Sequence, residues 1–204
     1  MSRSGSSEAA IPGDPERRRS ILRAAINTFA RYGYRKTSMD DVARDADLSR
    51  PGLYFLFSSK EVLFQAAVRQ LLDDALEQTS TALQILDQAI DIRVANAIDK
   101  WLGHYVGPQS VTYVGKLLEN SQSQLGEMYS EYMTGCQELL ASAITEAVTQ
   151  GDAELPAGAT ALDAATTAYA AANDLKHRVI DRAEFTERTR TAALLILRPR
   201  RSRG

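Results

Sequence analysis

Cysteine, histidine and long apolar runs are all scarce in this chain of 204 residues. It has one cysteine, Cys136, and no uninterrupted apolar run of the ~18 residues that a membrane-spanning helix needs. One cysteine cannot form an intrachain disulfide, which is typical of proteins in a reducing compartment. The N-terminal segment is polar and lacks the apolar stretch of a secretory signal. We therefore expect a cytoplasmic protein that does not associate with a membrane.

The sequence also lacks the groupings of residues that catalysis or metal binding requires. His104 and His177 lie far apart, and no cluster of cysteines and histidines has the spacing of zinc ligands. We find no nucleophile with a base, no paired carboxylates that can be brought together as a site, and no glycine-rich phosphate loop. We therefore expect no enzyme, no cofactor and no metal site. Cys136 is best interpreted as a small buried apolar residue.

Charge is distributed unevenly along the chain. Residues 1–70 contain twelve Lys/Arg and eight Asp/Glu, a formal charge of +4, whereas residues 71–204 contain twelve and eighteen, a formal charge of −6. A basic N-terminal third on an acidic body favours a local anionic partner, of which nucleic acid is the first candidate.

The apolar pattern indicates an all-α fold. In the first helix Leu22, Ala25 and Phe29 recur at spacings of three and four residues, and Gly33 stands where a C-terminal cap belongs. The chain shows neither strand-like alternation nor internal repeats. Later helices are predicted at roughly 88–106, 110–121, 124–150, 158–180 and 184–198.

Residues 37–56, which read TSMDDVARDADLSRPGLYFL, predict a helix, a three-residue turn and a second helix. Ala43 is small at the point where the two helices must approach one another. Apolar side chains such as Val42 and Leu53 occupy positions that can pack on the first helix of the chain. Such a helix-turn-helix lays its second helix in the DNA major groove.

Two capping signals bound these short helices. Thr37 with Asp40, or Ser38 with Asp41, resembles a capping box with Asp in place of Glu. Ser49 can cap the second helix through its hydroxyl.

The segment from Arg18 to Leu71 resembles the DNA-binding domain of the TetR family. The family pattern has an aromatic residue and Gly ending the first helix and Thr-Ser/Thr opening the second. A short helix with Leu-Tyr follows, then Phe, and then Lys-Glu-x-Leu opens the fourth helix. The residues that match, in order, are Phe29, Gly33, Thr37, Ser38, Val42, Ala43, Ala46, Ser49, Leu53, Tyr54, Phe57, Ser59, Lys60, Glu61 and Leu63.

Three residues depart from the family pattern. Asp47 stands where the turn usually has Gly, and Asp tolerates the left-handed backbone conformation better than most residues. Gly52 replaces a more usual Thr, Ser or Ala and removes one possible base contact. Leu56 replaces the usual His or Tyr, which exchanges a polar phosphate contact for packing.

The resemblance implies roles for individual residues at the DNA. Arg50 heads the reader helix and can donate two hydrogen bonds to guanine O6 and N7, with a phosphate or solvent contact as the alternative. Tyr54 and Lys60 resemble the phosphate-contacting pair of the family. Thr37 and Ser38 can cap their helix and direct hydroxyls and backbone amides at a phosphate. The predicted DNA-binding residues are Thr37, Ser38, Ser49, Arg50, Pro51, Gly52, Tyr54 and Lys60.

Outside this region, aromatic and sulfur-containing side chains concentrate on two segments. Trp101 and Tyr105 are four residues apart, as are Tyr129 and Met133, so each pair shares one helix face. Similar family members hold a small ligand between their central helices, and aromatic faces with a few polar tips suit an apolar ligand. Plain core packing is the alternative for each residue. The predicted ligand-binding residues are Trp101, His104, Tyr105, Tyr129 and Met133.

The segment 160–196 is rich in alanine, which allows helices to approach closely. It resembles the last two long helices of the family, which form a four-helix bundle with the twin subunit. The resemblance therefore implies a homodimer, and a symmetric dimer favours a near-palindromic DNA site.

These expectations combine into one domain scheme and one function. Residues 1–15 form a flexible arm, 16–62 the DNA-binding domain, 63–198 a helical ligand-binding and dimerisation domain, and 199–204 a basic tail. The implied function is a regulator of transcription that binds double-stranded DNA, and most simply a repressor released by a small apolar effector. An activator of the same family, or a helical interaction protein without DNA binding, are the alternatives.

Overall fold

The computed structural model describes residues 14–107, 113–121 and 125–199. All secondary structure in these ranges is helical, which confirms the predicted all-α fold. The chain divides into two compact units, with the boundary between Leu71 and Leu72. The predicted arm at 1–15 and basic tail at 199–204 lie almost entirely outside the described residues.

The first unit is built on three helices and the start of a fourth. They are α1 (Pro15–Tyr32), α2 (Met39–Asp45), α3 (Arg50–Leu56) and α4 (Lys60–Leu83). The core of this unit is aromatic: the Phe29 and Phe64 rings meet edge to face at 5.0 Å, and Tyr34 lies 4.7 Å from Phe64. Gly33 ends α1 as predicted, with φ of 81°.

The boundary between the units falls later than the predicted division after residue 62. The reason is that the first turns of α4 belong to the core of the first unit. Leu63, Phe64, Ala67 and Val68 are almost fully buried, and Phe64 contacts Phe29 of α1. α4 is one uninterrupted helix that begins in the first unit and continues into the second.

The described residues of the second unit form five further helices. They are α5 (Ile90–Leu102), α6 (Tyr113–Asn120), α7 (Met128–Gln150), α8 (Ala161–Arg178) and α9 (Arg182–Leu197). α5 contacts α7, α8 and α9, and it is buried on most of its surface. Among the described residues, no helix is long and apolar enough to cross a membrane.

Two ion pairs attach α9 to α5. The Asp91 carboxylate, whose side chain is 3% exposed, lies 3.0 Å from Nε of Arg190. Asp99 accepts two hydrogen bonds from Arg182, at 2.7 and 2.8 Å. These partners raise the pKa of both guanidinium groups. A Cβ atom at Gly103 would overlap the Asp99 carboxylate and the Arg182 side chain, so the bidentate pair requires glycine there.

Some helix ends differ from the predicted ones. The helix predicted at 88–106 ends at Leu102 and continues as a 3-10 turn over Gly103–Tyr105. α7 starts at Met128 and not at 124, because Gly126 has φ of 57° and lies in a turn. The predicted helical residues 110–112 and 124 lie outside the described part of the chain.

Candidate functional site

The α2–turn–α3 unit is fixed by hydrogen bonds within its own sequence. Of the two predicted capping boxes, the one that forms is that of Ser38 and Asp41: the Ser38 hydroxyl accepts from the Asp41 N–H at 3.2 Å, and the Asp41 carboxylate accepts from the Ser38 N–H at 3.0 Å. The hydrogen bonds that the Ser38 hydroxyl and the Ser38 N–H donate to the Asp41 carboxylate lower the pKa of Asp41. In the turn, Asp47 adopts φ of 53°, the left-handed conformation predicted for this position.

Helix α3 begins at a second cap. Ser49 accepts a hydrogen bond from the Gly52 N–H at 3.1 Å, and Pro51 occupies the first turn, where its missing N–H does no harm. A Cβ atom at Gly52 would lie 3.1 Å from the Ser49 hydroxyl. A larger residue there would crowd the cap, which gives a local reason for glycine at this departure from the family pattern.

The outward face of α3 carries one cation and two aromatic rings. The Arg50 guanidinium lies 3.1 Å from the Asp40 carboxylate and 5.6 Å from the centre of the Tyr54 ring. Tyr54 is 41% exposed and Phe55 is 75% exposed. Sequence reasoning missed Phe55. The signal was available, because Leu53 and Phe57 are buried and a residue two positions from each lies on the opposite, exposed face of the helix. Exposed aromatic side chains on a short helix are typical of a contact surface.

The helix-turn-helix itself is acidic. Residues 37–59 contain four aspartates and two arginines, a formal charge of −2. Both arginines are paired, Arg44 with Asp41 and Arg50 with Asp40. The excess positive charge of the first unit therefore comes from other exposed side chains, among them Arg18, Arg19, Arg23, Arg31, Arg35 and Lys36.

Lys60 has a different environment from the one predicted. Its ammonium donates to the carbonyl oxygens of Tyr34 at 3.1 Å and Thr37 at 3.1 Å, and to that of Arg35 at 3.5 Å. It also lies 4.7 Å from the centre of the Tyr34 ring. An ammonium has three donors, so these carbonyls occupy all of them. In this geometry Lys60 holds the loop between α1 and α2, and its phosphate contact stays a prediction.

Thr37 also departs from its predicted role. It is 2% exposed, and its hydroxyl donates to the carbonyl of Gly33 at 2.9 Å. Its hydroxyl therefore closes the end of α1 and is not directed at a phosphate. Ser38 and Ser49 remain exposed at the starts of α2 and α3.

In the second unit, the structure assembles an aromatic cluster that we define as Trp101, Tyr105, Tyr129, Tyr132 and Tyr169. Trp101 is 1% exposed and stacks on Tyr169 at 4.5 Å, with Tyr132 edge-on at 6.3 Å. Tyr129 lies 6.3 Å from Tyr132, and its hydroxyl is 3.3 Å from that of Tyr105. Three of the five predicted ligand-binding residues thus lie in one cluster.

The other two predicted residues have different outcomes. Met133 is half-buried, whereas its neighbour Tyr132 is the residue of α7 that contacts Trp101. The side chain of His104 lies outside the described part of the structure. Sequence reasoning left out Tyr169 because α8 was assigned to dimerisation, although it is the only aromatic residue of that helix.

The position of Tyr105 depends on two neighbours. Its ring packs so closely on Gly115 of α6 that a Cβ atom there would overlap it. On the ring face, Nζ of Lys176 lies 4.3 Å from the centroid. Tyr105, Lys116 and Lys176 also line a cavity of about 330 Å³.

Burial affects two tyrosines of the cluster and one neighbouring thiol. It raises the pKa of Tyr132, and it raises the pKa of Tyr169 and of the neighbouring Cys136 thiol to about 12. The thiol is therefore protonated at neutral pH, as expected for a small buried residue. No group of three His, Cys, Asp or Glu side chains that could hold a metal occurs among the described residues.

Helices α8 and α9 expose apolar side chains. Leu162 is 51% exposed on α8, and Leu194 and Leu195 are 46% and 73% exposed on α9. On the inward faces of the same helices, small residues such as Ala168 and Ala193 are packed and almost fully buried.

Comparison with known proteins places this geometry in a family. Residues 21–67 match the model of bacterial regulatory proteins of the tetR family. The chain is 39% identical over 57 residues to the HTH-type transcriptional regulator RutR of Escherichia coli (strain K12), an alignment covering 28% of this chain and 27% of RutR. It is 30% identical over 147 residues to the HTH-type transcriptional regulator EthR of Mycobacterium tuberculosis (strain H37Rv), covering 65% of this chain and 66% of EthR.

The fold of the whole chain has a similar counterpart. A TetR-family crystal structure from Mesorhizobium loti superposes with a TM-score of 0.72 at 18% identity, covering 88% of this chain and 94% of that one. Both curated relatives are regulators of transcription, which agrees with the expectation of a regulator and not an enzyme. The family model, the relatives and the fold agree with the helix-turn-helix described above, and this chain belongs to the TetR family of bacterial regulatory proteins.

Proposed function

We propose that this protein is a homodimeric DNA-binding regulator of transcription, and specifically a repressor that a small molecule releases from its operator. The observation that carries the proposal is the doubly capped α2–turn–α3 unit, which presents Arg50, Tyr54 and Phe55 on one exposed helix. A short helix held by caps at a turn is the element that enters the major groove.

At the DNA, Arg50 is the base-reading residue and Tyr54 contacts a phosphate. Ser38 and Ser49 lie at helix starts, where backbone N–H groups and the helix dipole favour a phosphate. Pro51 and Gly52 are small residues in the first turn of α3, so the backbone of this turn can approach the base edges closely.

The exposed leucines of α8 and α9 support dimerisation. Leu194 and Leu195 are adjacent on α9, and Leu162 is exposed on α8. Apolar side chains on neighbouring helices favour burial against a second copy of the same surface. Replacing Leu195 with Glu should therefore shift the protein toward monomer in light scattering.

The aromatic cluster is the proposed effector site. Its members contribute large apolar faces with hydroxyl groups at their edges, which suits a mostly apolar ligand. The effector acts by binding more tightly to a conformer whose two α3 helices cannot enter successive major grooves. Equal affinity for both conformers would release no DNA.

The test is a selection from randomised DNA with the purified protein. We expect a near-palindromic sequence to be enriched, and Arg50→Ala to relax one base position in each half-site at a cost of about 1–3 kcal/mol. Arg23→Ala, an exposed arginine of α1, is the matched control and should leave base preference unchanged. A selection that enriches no sequence would contradict the DNA-reading role.

One observation favours a second function, that of a helical interaction protein without DNA binding. The helix-turn-helix is acidic, and both of its arginines are paired with aspartates. A gel-shift experiment with the DNA upstream of the gene separates the two functions, since only the regulator gives a salt-sensitive, sequence-specific shift.

A further inference from the structure

The Tyr132 side chain ends in a buried hydroxyl that has no hydrogen-bond partner among the described residues. The residue is 8% exposed, and the hydroxyl itself is inaccessible. A buried polar group without a partner is unfavourable, because it has given up its contacts with water and received nothing in return. Such a group in a folded protein needs an explanation.

The surroundings of this hydroxyl are aromatic. Trp101 and Tyr129 each lie 6.3 Å from the Tyr132 ring. The Cys136 thiol, one turn further along α7, and the hydroxyls of Tyr105 and Tyr129 are close enough to raise the pKa of Tyr132 beyond the effect of burial. A thiol is only a weak acceptor, so the Cys136 contact that raises the pKa of Tyr132 satisfies this hydroxyl poorly.

The neighbouring hydroxyl groups are better satisfied. The Tyr105 and Tyr129 hydroxyls lie 3.3 Å from each other, and the Tyr169 hydroxyl donates to Asn173 at 3.4 Å. Tyr132 is therefore the member of the aromatic cluster with an unused donor. Because its raised pKa keeps the phenol protonated, that donor is present at every physiological pH.

The charge of the site limits what can pair with this donor. Burial raises the pKa of Tyr169 and of the Cys136 thiol, so these two neighbours carry no charge at neutral pH. A carboxylate beside Tyr132 would lose its hydration without gaining an ionic partner from these residues, whereas a ketone or ester oxygen loses far less. Lys176 lies on the ring of Tyr105 and is the feature that would instead favour an acidic ligand.

We propose that the effector is an uncharged molecule with a flat apolar body and one hydrogen-bond acceptor, and that the Tyr132 hydroxyl donates to that acceptor. The apolar body packs against Trp101 and Tyr129. This inference rests on the proposed effector site and names the chemical class of its ligand.

The experiment compares three probes of similar size, each built on one benzene ring. Acetophenone has a neutral acceptor, isopropylbenzene has a methyl group in its place, and benzoate has a negative charge. Their affinities for the full-length protein are measured by calorimetry. We expect acetophenone to bind about 5-fold more tightly than isopropylbenzene, the effect of one neutral hydrogen bond, and benzoate to bind most weakly.

Two variants assign this preference to one hydroxyl. Tyr132→Phe should bind acetophenone and isopropylbenzene equally. Tyr113→Phe, which removes the hydroxyl of an exposed tyrosine of α6 outside the aromatic cluster, is the matched control and should retain the preference. Tyr132→Phe without ligand should also melt at the same temperature as the parent protein or higher, because it removes an unpaired polar atom.

Other results would overturn the inference. They are equal binding of acetophenone and isopropylbenzene to the parent protein, tightest binding of benzoate, no binding of any probe at millimolar concentration, or a lower melting temperature of Tyr132→Phe. If some other compound still releases the operator DNA, the proposed function stands and this inference alone fails. If nothing releases specifically bound DNA, the proposed effector function fails as well.

Discussion

The two units of the chain differ in how their functional residues are distributed along the sequence. In the first unit the proposed reader lies within about twenty consecutive residues, and its caps join residues three positions apart. In the second unit the aromatic cluster is drawn from α5, the following 3-10 turn, α7 and α8. A local site can be recognised from spacing alone, whereas a dispersed site exists only once the helices have packed.

The largest expected effect tests whether the two units are independent. Phe29→Ala should cost the first unit about 3–5 kcal/mol, because it removes a fully buried ring from the aromatic core. Trp101 is the only tryptophan and lies in the second unit, so its fluorescence reports that unit alone. We expect helical circular dichroism to be lost earlier in this variant while the Trp101 transition is unchanged.

Phe185→Ala, which empties a fully buried site in the second unit, is the matched control and should shift the Trp101 transition. If Phe29→Ala shifts that transition equally, the two units unfold as one cooperative block.

The next effect separates the positioning role of Lys60 from a phosphate contact. Lys60→Met keeps the apolar stem but removes the donors to three loop carbonyls, and it should destabilise the first unit by about 1–3 kcal/mol. Lys36→Met removes an exposed charge from the same unit and should leave stability unchanged. Urea unfolding measures both variants. A Lys60→Met protein of unchanged stability that fails to bind DNA would favour the phosphate contact.

A smaller effect concerns the acidic residues around the reader helix. Asp40→Asn and Asp47→Asn each remove one negative charge from an exposed site, and both should strengthen binding to all DNA by roughly 2- to 5-fold at low salt. Asp40 alone contacts Arg50, so only Asp40→Asn should also change the base preferred at the Arg50 position. Titration against specific and randomised DNA measures both properties. Identical behaviour of the two variants would show that the Asp40–Arg50 pair has no influence on reading.

The smallest expected effect concerns the capping box, which occurs once in each unit. Ser38 and Thr160 hold Asp41 and Asp163 in capping boxes, and hydrogen bonds from these residues lower the pKa of both carboxylates. A lowered pKa means that each cap contributes stability above the ordinary value of about 4, and that this contribution is lost as the pH falls through the lowered pKa. Carboxyl NMR titration should place both values below that of a model peptide. A value at or above it would mean that the box is open in solution.

Sequence reasoning was most successful where the physics is local. Gly33, Ser38 and Ser49 were predicted from the short-range requirements of helix ends, and each occupies a cap. Asp47 was expected in the left-handed conformation because few other residues tolerate it, and its φ is positive.

It could not identify contacts whose partners are distant in sequence. The carbonyls that hold Lys60 are more than twenty residues away, and nothing in the spacing identifies them. Thr37 matched the family at a cap position, but its hydroxyl turns inward to α1. Tyr169 joins Trp101 only because α8 packs beside α5. These contacts depend on tertiary packing, and the local spacing of residues does not reveal which helices pack together.

The two ion pairs between α5 and α9 have a mechanical consequence. Asp91 and Asp99 lie toward opposite ends of α5, and each is paired with an arginine of α9. If either helix slides or tilts against the other, at least one of these charge-assisted contacts must lengthen. The two helices are therefore expected to move together. Trp101 belongs to α5, and the exposed Leu195 belongs to α9. We therefore expect that a displacement of α5 at Trp101 also moves α9, which carries the exposed Leu195.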